Sequence, residues 1–254
     1  MESQICFYNC NSLVSLNFSN FDLTSAENMD KFFFNCFSLT SLDISNVEAK
    51  SVTYFTNMFN NCTSLKTINF TNFTTYSALS INSMFYNCYS LISIDLSSFN
   101  TSSVFDMAFT FYNCQSLTSL NISNFNTSLV FQMNSMFYNC FNLRSLDLSS
   151  FNTMSLRNIE FLFYKCAHLT SLDISNFQTD FVQNYNSMFS GCIRLRYINF
   201  YNFNFRNPLI KINYENLLYE TPSNLIICIN QEYSLDFSVF LTLSNALLMI
   251  VQLI

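Results

Sequence analysis

Cysteine is the residue type whose spacing in this sequence first invites a chemical reading. Cys10, Cys36, Cys62, Cys88, Cys114, Cys140, Cys166 and Cys192 follow one another at steps of 26 residues with no insertion. Thiolates can bind metals, form disulfides or act as nucleophiles. A zinc site needs ligands clustered at short spacing; only Cys6 and Cys10 come close, and no histidine accompanies them. Disulfides between stacked neighbours are permitted in distance, since a spacing of about 5 Å falls within the usual Cα range. Identical stacked side chains nevertheless point the same way, which is poor disulfide geometry. The third reading is a column of buried thiols behaving as small apolar residues. The regular ladder favours it.

Little else in the chain could do chemistry. His168 is the single histidine and Gly191 the single glycine. Phosphate-cradling loops, dinucleotide fingerprints and nucleophile elbows each need several glycines at fixed spacing, so none is present. His168 stands where other repeats carry Ser and has no recognisable Ser/Asp constellation around it. No catalytic residue, metal site or cofactor is expected. Ten Lys and Arg against 16 Asp and Glu give a net charge of −6, which leaves no electrostatic footprint for nucleic acid. Arg194, Arg196, Arg206 and Lys211 form a small basic patch, read as an ordinary solvated rim or a contact for acidic groups.

The elements that position these residues follow from the period. Three residues before each cysteine sits a phenylalanine, from Phe7 through Phe33, Phe59, Phe85, Phe111, Phe137 and Phe163 to Phe189. A second ladder, eleven residues after the cysteine, reads Phe21, Val47, Phe73, Phe99, Phe125, Phe151, Phe177 and Phe203. With Cys36, Cys62, Cys88, Cys114, Cys140, Cys166 and Cys192, the phenylalanines from Phe33 to Phe189 are expected to form the structural core. Around Leu120 and Ile122 apolar residues alternate, which is the period of a strand with one buried face. Leu117 tucks in before it. In 127–137 the apolar positions Val130, Met133, Met136 and Phe137 suit a short helix or a 3₁₀ turn. One coil of this kind cannot bury its own apolar face; stacked coils can. The fold class read here is a repeat solenoid of leucine-rich-repeat type, with a parallel sheet on the concave face and short helical or irregular convex segments. Asn precedes the cysteine in six repeats, and Asn tolerates a left-handed backbone, which predicts asparagine-built corners in place of glycine.

The strand alternation turns one polar ladder outward: Asn17, Asp43, Asn69, Asp95, Asn121, Asp147, Asp173 and Asn199, seven residues after each cysteine. Serines and threonines flank it at the fifth position in every repeat but the last, where Tyr197 stands. This face is the candidate binding surface for a protein, glycan or cation. The plainer alternative is a solvated strand face whose side chains bond along the ladder, with neutral Asn between Asp residues limiting repulsion.

The stretch Met-Phe-Tyr-Asn-Cys-Phe-Asn-Leu-Arg-Ser-Leu-Asp-Leu-Ser-Ser-Phe-Asn-Thr at 136–153 resembles BspA-type leucine-rich repeats. More closely, it resembles the 26-residue surface-protein repeat of mycoplasma lipoproteins. The resemblance covers 5–203. It implies a leucine-rich-repeat solenoid displayed on a cell surface, engaged in adhesion or binding of a protein or cell-surface partner, and not an enzyme. An intracellular protein-interaction scaffold is the alternative.

The ends depart from the repeat. Residues 1–6 carry no basic-then-apolar signal, and the first coil has no polar cap. An incomplete N-terminus, pairing at that end, or cytosolic residence are the corresponding readings. Residues 204–230 read as an insertion, holding Pro208, plus a degenerate ninth repeat. Residues 231–254 read as a hydrophobic C-terminal cap helix or membrane anchor, because 237–254 has no charge and is at the lower length limit for crossing a bilayer.

Overall fold

The structure is a computed structural model that describes residues 6–19, 21–204, 213–230 and 249–252. The chain winds as a parallel-strand β-solenoid. Its strands are β1 (Ser15–Asn17), β2 (Ser41–Asp43), β3 (Thr67–Asn69), β4 (Ser93–Asp95), β5 (Ser119–Asn121), β6 (Ser171–Asp173), β7 (Tyr197–Asn199), β8 (Ile226–Ile229) and β9 (Met249–Gln252). Successive strands pair parallel and in register, so that Ser15 meets Ser41 and Ser41 meets Thr67. The sheet has gaps: β1, β2 and β3 form one group, β4 and β5 a second, and β6 to β9 a third. Residues 145–147, at the strand position of the sixth coil, form no strand. Leu120 and Leu146, the inward leucines beside this gap, are only half-buried, whereas Leu42, Ile94, Leu172 and Ile198 are buried.

The opposite side of the coil departs from the helical reading. Among the described residues there is no helix, and 127–137 is a run of turns. A helix needs each N–H bonded four residues back. Here alternate N–H groups leave the coil instead. Met133, Ser135 and Phe137 donate to the carbonyls of Asn158, Glu160 and Leu162 in the next coil, at 2.8–3.1 Å. Met136 and Tyr138, between and after them, donate locally to Met133 and Ser135. Left-handed residues, Ser135 at φ 57° and Asn139 at φ 54°, stop any right-handed helix from propagating. The apolar spacing counted inward side chains correctly but carried no information about where the backbone bonds went. Single parallel bridges extend this pairing without a break from Asn28 through Tyr54, Ser80, Asp106, Gln132, Asn158 and Asn184 to Asn213.

The corners are asparagine-built. Asn9, Asn35, Asn61, Asn87, Asn113 and Asn139, each just before its cysteine, have φ between 54° and 63°. The chain's single glycine, Gly191, takes the same place in the eighth coil at φ 78°. A Cβ added there would lie 2.8 Å from the Lys165 Cγ, so the glycine also accommodates its neighbour's side chain.

The core lies between the two sides. Phe7, Phe33, Phe59, Phe85, Phe111, Phe137, Phe163 and Phe189 stack at centroid spacings of 5.2–5.7 Å with planes within 16°. In the second ladder, Phe125, Phe151, Phe177 and Phe203 stack at 6.1–6.4 Å. Of the C-terminal stretch expected as a cap helix or membrane anchor, only Met249–Gln252 is described; it is a strand parallel to β8, not a helix, and 231–248 and 253–254 lie outside the described residues. No helix among the described residues is long and apolar enough to cross a membrane.

Candidate functional site

The outward ladder on the sheet face is held from below. In every coil the residue seven after the cysteine turns one side-chain oxygen back onto the N–H two residues on. Asp43, Asp95, Asp147 and Asp173 accept from the backbone of Ser45, Ser97, Ser149 and Ser175 at 2.9–3.0 Å. Asn17, Asn69, Asn121 and Asn199 accept from Ser19, Thr71, Ser123 and Tyr201 at 3.0–3.3 Å. These are Asx turns that end each strand, which explains why only Asn or Asp occupies the position. The ladder therefore has a structural duty that the strand-face reading did not anticipate. The signal was available: a hydroxyl residue follows at the ninth position in all repeats but the last.

The same bonds set the electrostatics. The Ser45 N–H and hydroxyl hold the Asp43 carboxyl below the usual carboxylate range, with a contribution from the Asn69 amide. Ser149 does the same for Asp147. For Asp173, burial pushes the carboxyl up, but bonds from Ser175 and Asn199 outweigh it and the net shift is downward. All three stay ionised at neutral pH. The face is thus a row of amides, hydroxyls and fixed carboxylates, and Asp95, Asp147 and Asp173 are exposed on it. Among the described residues no three His, Cys, Asp or Glu side chains are grouped to hold a metal ion. The arrangement can offer hydrogen bonds and negative charge to a surface laid across it.

The cysteine column is interior. All ten cysteines are free thiols, and Cys36 to Cys192 of the ladder are buried. Cys62, Cys88, Cys114, Cys140, Cys166 and Cys192 each point the thiol at the carbonyl of a phenylalanine in the preceding coil, at 3.1–3.2 Å. Burial pushes the Cys166 thiol up to about 12 and raises Cys88, Cys114, Cys140 and Cys192 as well. Protonated thiols of this kind are poor nucleophiles and poor metal ligands.

His168 is held by its Nδ1, 2.9 Å from the Phe141 carbonyl, with its ring edge-on to Phe141. That contact is structural. Arg194 and Arg196 border an open groove with Thr170, Ile193, Pro222 and Asn224, whereas Arg206 and Lys211 lie outside the described residues.

Two further ladders escaped the sequence reading. Thr75, Thr101, Thr127, Thr153 and Thr179 are buried, and each hydroxyl accepts an N–H from, and donates to the carbonyl of, one residue in the next coil. The recurring Phe-Asn-Thr at 99–101, 125–127 and 151–153 was its signal. Tyr86, Tyr112, Tyr138 and Tyr164, two residues before their cysteines, stack at 4.3–4.6 Å.

The family described as "Mycoplasma protein of unknown function, DUF285" matches residues 2–119 and 92–203. No curated protein matches the sequence. Among solved structures, the chain is similar to a leucine-rich repeat protein from Bacteroides ovatus at 17% identity and a TM-score of 0.36, over 87% of this chain and 63% of that one. It is also similar to a leucine-rich cell surface protein from Faecalibacterium prausnitzii at 15% identity and a TM-score of 0.31, over 93% of this chain and 82% of that one. The chain therefore spans less than two thirds of the length of the Bacteroides ovatus protein. The 26-residue motif and the family match together fit a BspA-like repeat protein.

Proposed function

The chain belongs to the Mycoplasma DUF285 family, and we propose that it is a non-enzymatic leucine-rich-repeat module displayed at a cell surface, where the sheet face binds a protein or cell-surface partner. The observation that carries this reading is the outward ladder itself. Eight coils present the same kind of polar side chain in the same place, each pinned by an Asx turn. Side chains fixed before binding lose little entropy on association, so a long, preorganised row favours recognition of an extended surface. The carboxylates of Asp43, Asp95, Asp147 and Asp173 select a partner with basic groups and give the encounter a dependence on salt. Surface display is supported by the resemblance of the repeat to BspA-type surface proteins. Absence of enzymatic activity is supported by buried, protonated thiols and a histidine engaged only by a carbonyl and a phenyl edge.

The test substitutes Asp95→Asn, Asp147→Asn and Asp173→Asn together. Asparagine keeps the oxygen that closes the Asx turn, so the thermal midpoint should hold. Adhesion of beads coated with the protein to cell and matrix surfaces should fall, and the salt dependence of what remains should flatten. Unchanged adhesion would remove the sheet-face assignment. Protease shaving of intact cells tests display: a fully protected protein would favour an intracellular scaffold.

A further inference from the structure

We propose that the groove at the end of the asparagine ladder binds a neutral, unbranched glycan chain. This goes beyond the sheet-face reading, uses different residues and does not rest on it.

The ladder is a chain of side-chain amides running along the corner of the solenoid. The Nδ2 of Asn35, Asn61, Asn87, Asn113 and Asn139 donates in turn to the Oδ1 of Asn9, Asn35, Asn61, Asn87 and Asn113, at 2.9 Å each time. All five bonds point the same way, so each amide polarises the next. The chain stops at Asn139 because the following coil has Lys165 at the corner position. The Asn139 Oδ1 is left as a strong acceptor with no amide to receive from. Lys165 turns its ammonium toward the Tyr164 ring, 5.3 Å from the centroid.

An open groove of about 450 Å³ lies there, lined among others by Tyr89, Asn113, Gln115, Tyr138, Asn139 and Lys165. No carboxylate lines it, which disfavours a cationic ligand. Its backbone is also committed. The N–H groups of Asn113, Asn139 and Lys165 donate to Tyr138, Tyr164 and Ser190, and that of Gln115 to Asn113, so an extended peptide would find no strand edge to pair with. What remains is a set of amides and phenols that both donate and accept, with one ammonium that only donates. Hydroxyl groups on a ligand can serve both roles at once. Tyr89 is exposed and offers an apolar ring to the C–H face of a sugar. The stacked tyrosines place a phenol at each of four successive coils, a repeat suited to a chain of sugars over a single one. Burial, followed by the neighbouring phenols Tyr138 and Tyr86, pushes the Tyr112 phenol's pKa up and keeps it a donor at neutral pH.

Three of the 14 tyrosines line this groove and the chain has no tryptophan, so binding is read by titration calorimetry, with tyrosine emission as a second signal. Cellohexaose, maltohexaose and chitohexaose are titrated against the protein, with glucose and heparin as controls. Saturable binding of at least one hexasaccharide is expected, with glucose much weaker. The decisive variant is Lys165→Asn. Asparagine suits the left-handed backbone at φ 57° and would donate to Asn139 Oδ1, continuing the ladder and filling the acceptor. The expected result is an unreduced thermal midpoint and a loss of at least tenfold in hexasaccharide affinity, about 1.4 kcal/mol. Tyr89→Ala should weaken the same binding. The proposal is overturned if no hexasaccharide binds, if Lys165→Asn binds as well as wild type, if glucose binds equally, or if heparin binds more tightly than any of them.

Discussion

The two sides of each coil carry the same period but hold the solenoid together differently. On the sheet side the strands through β7 are three residues long and the pairing lapses before β4 and again around 145–147. On the turn side no regular element forms, yet backbone bonds join every described coil to the next. Met107, Phe109, Phe111 and Asn113, for example, each donate to the following coil at 2.7–3.0 Å. The stacked phenylalanines, the cysteine thiols and the asparagine ladder all lie on or just behind that side. The lesson is that the region without secondary structure is the structural spine, and the sheet side carries fewer of the backbone bonds that join coil to coil.

The largest test of this contrast is Phe111→Ala, which opens a cavity in the fully buried stack between Phe85 and Phe137. Chemical denaturation should show a loss of ~3–5 kcal/mol. A loss near zero would mean that the stack contributes no packing. Next comes a paired comparison. Asn113→Ala puts an ordinary side chain at φ 60° and removes two ladder bonds, and should cost ~2 kcal/mol. Ser119→Ala, exposed on β5, should stay within about 0.5 kcal/mol. Equal costs at the two sites would erase the distinction between the sides.

The smallest effect is the pH dependence of the sheet face. The carboxyls of Asp43, Asp147 and Asp173 have lowered folded pKa values. Their contribution is therefore complete above the unfolded value of about 4 and is lost as pH falls through the folded values. These groups are largely solvated, so the acid-side slope of stability should be shallow. It should become shallower still in Asp147→Asn, which retains the turn acceptor without the charge.

Much of this was legible from the sequence because a repeat copies each constraint eight times. The phenylalanine column, the strand register and the left-handed asparagines could be read from residue type and position, since each states a local rule of burial or backbone conformation. The turn side was misread over 127–137 because apolar spacing reports which side chains face inward and not which carbonyl an amide finds. The left-handed backbone at Ser135, which breaks any helix there, is not signalled by its residue type. The outward ladder was legible as a face, but the Asx turns beneath it depend on the backbone N–H two residues on, which strand alternation does not report. The threonine column was hidden for a related reason: a buried hydroxyl is acceptable only when its partners lie in the next coil, and that pairing is a property of the stack.

Native-state hydrogen exchange reads the central claim residue by residue. The amides of Phe111, Asn113, Phe137 and Asn139 should exchange only through global unfolding, while those of 145–147 and β5 should exchange faster through local opening. The reverse order, with strand amides protected and turn-side amides exchanging first, would contradict the claim that the turn side is the spine of the solenoid.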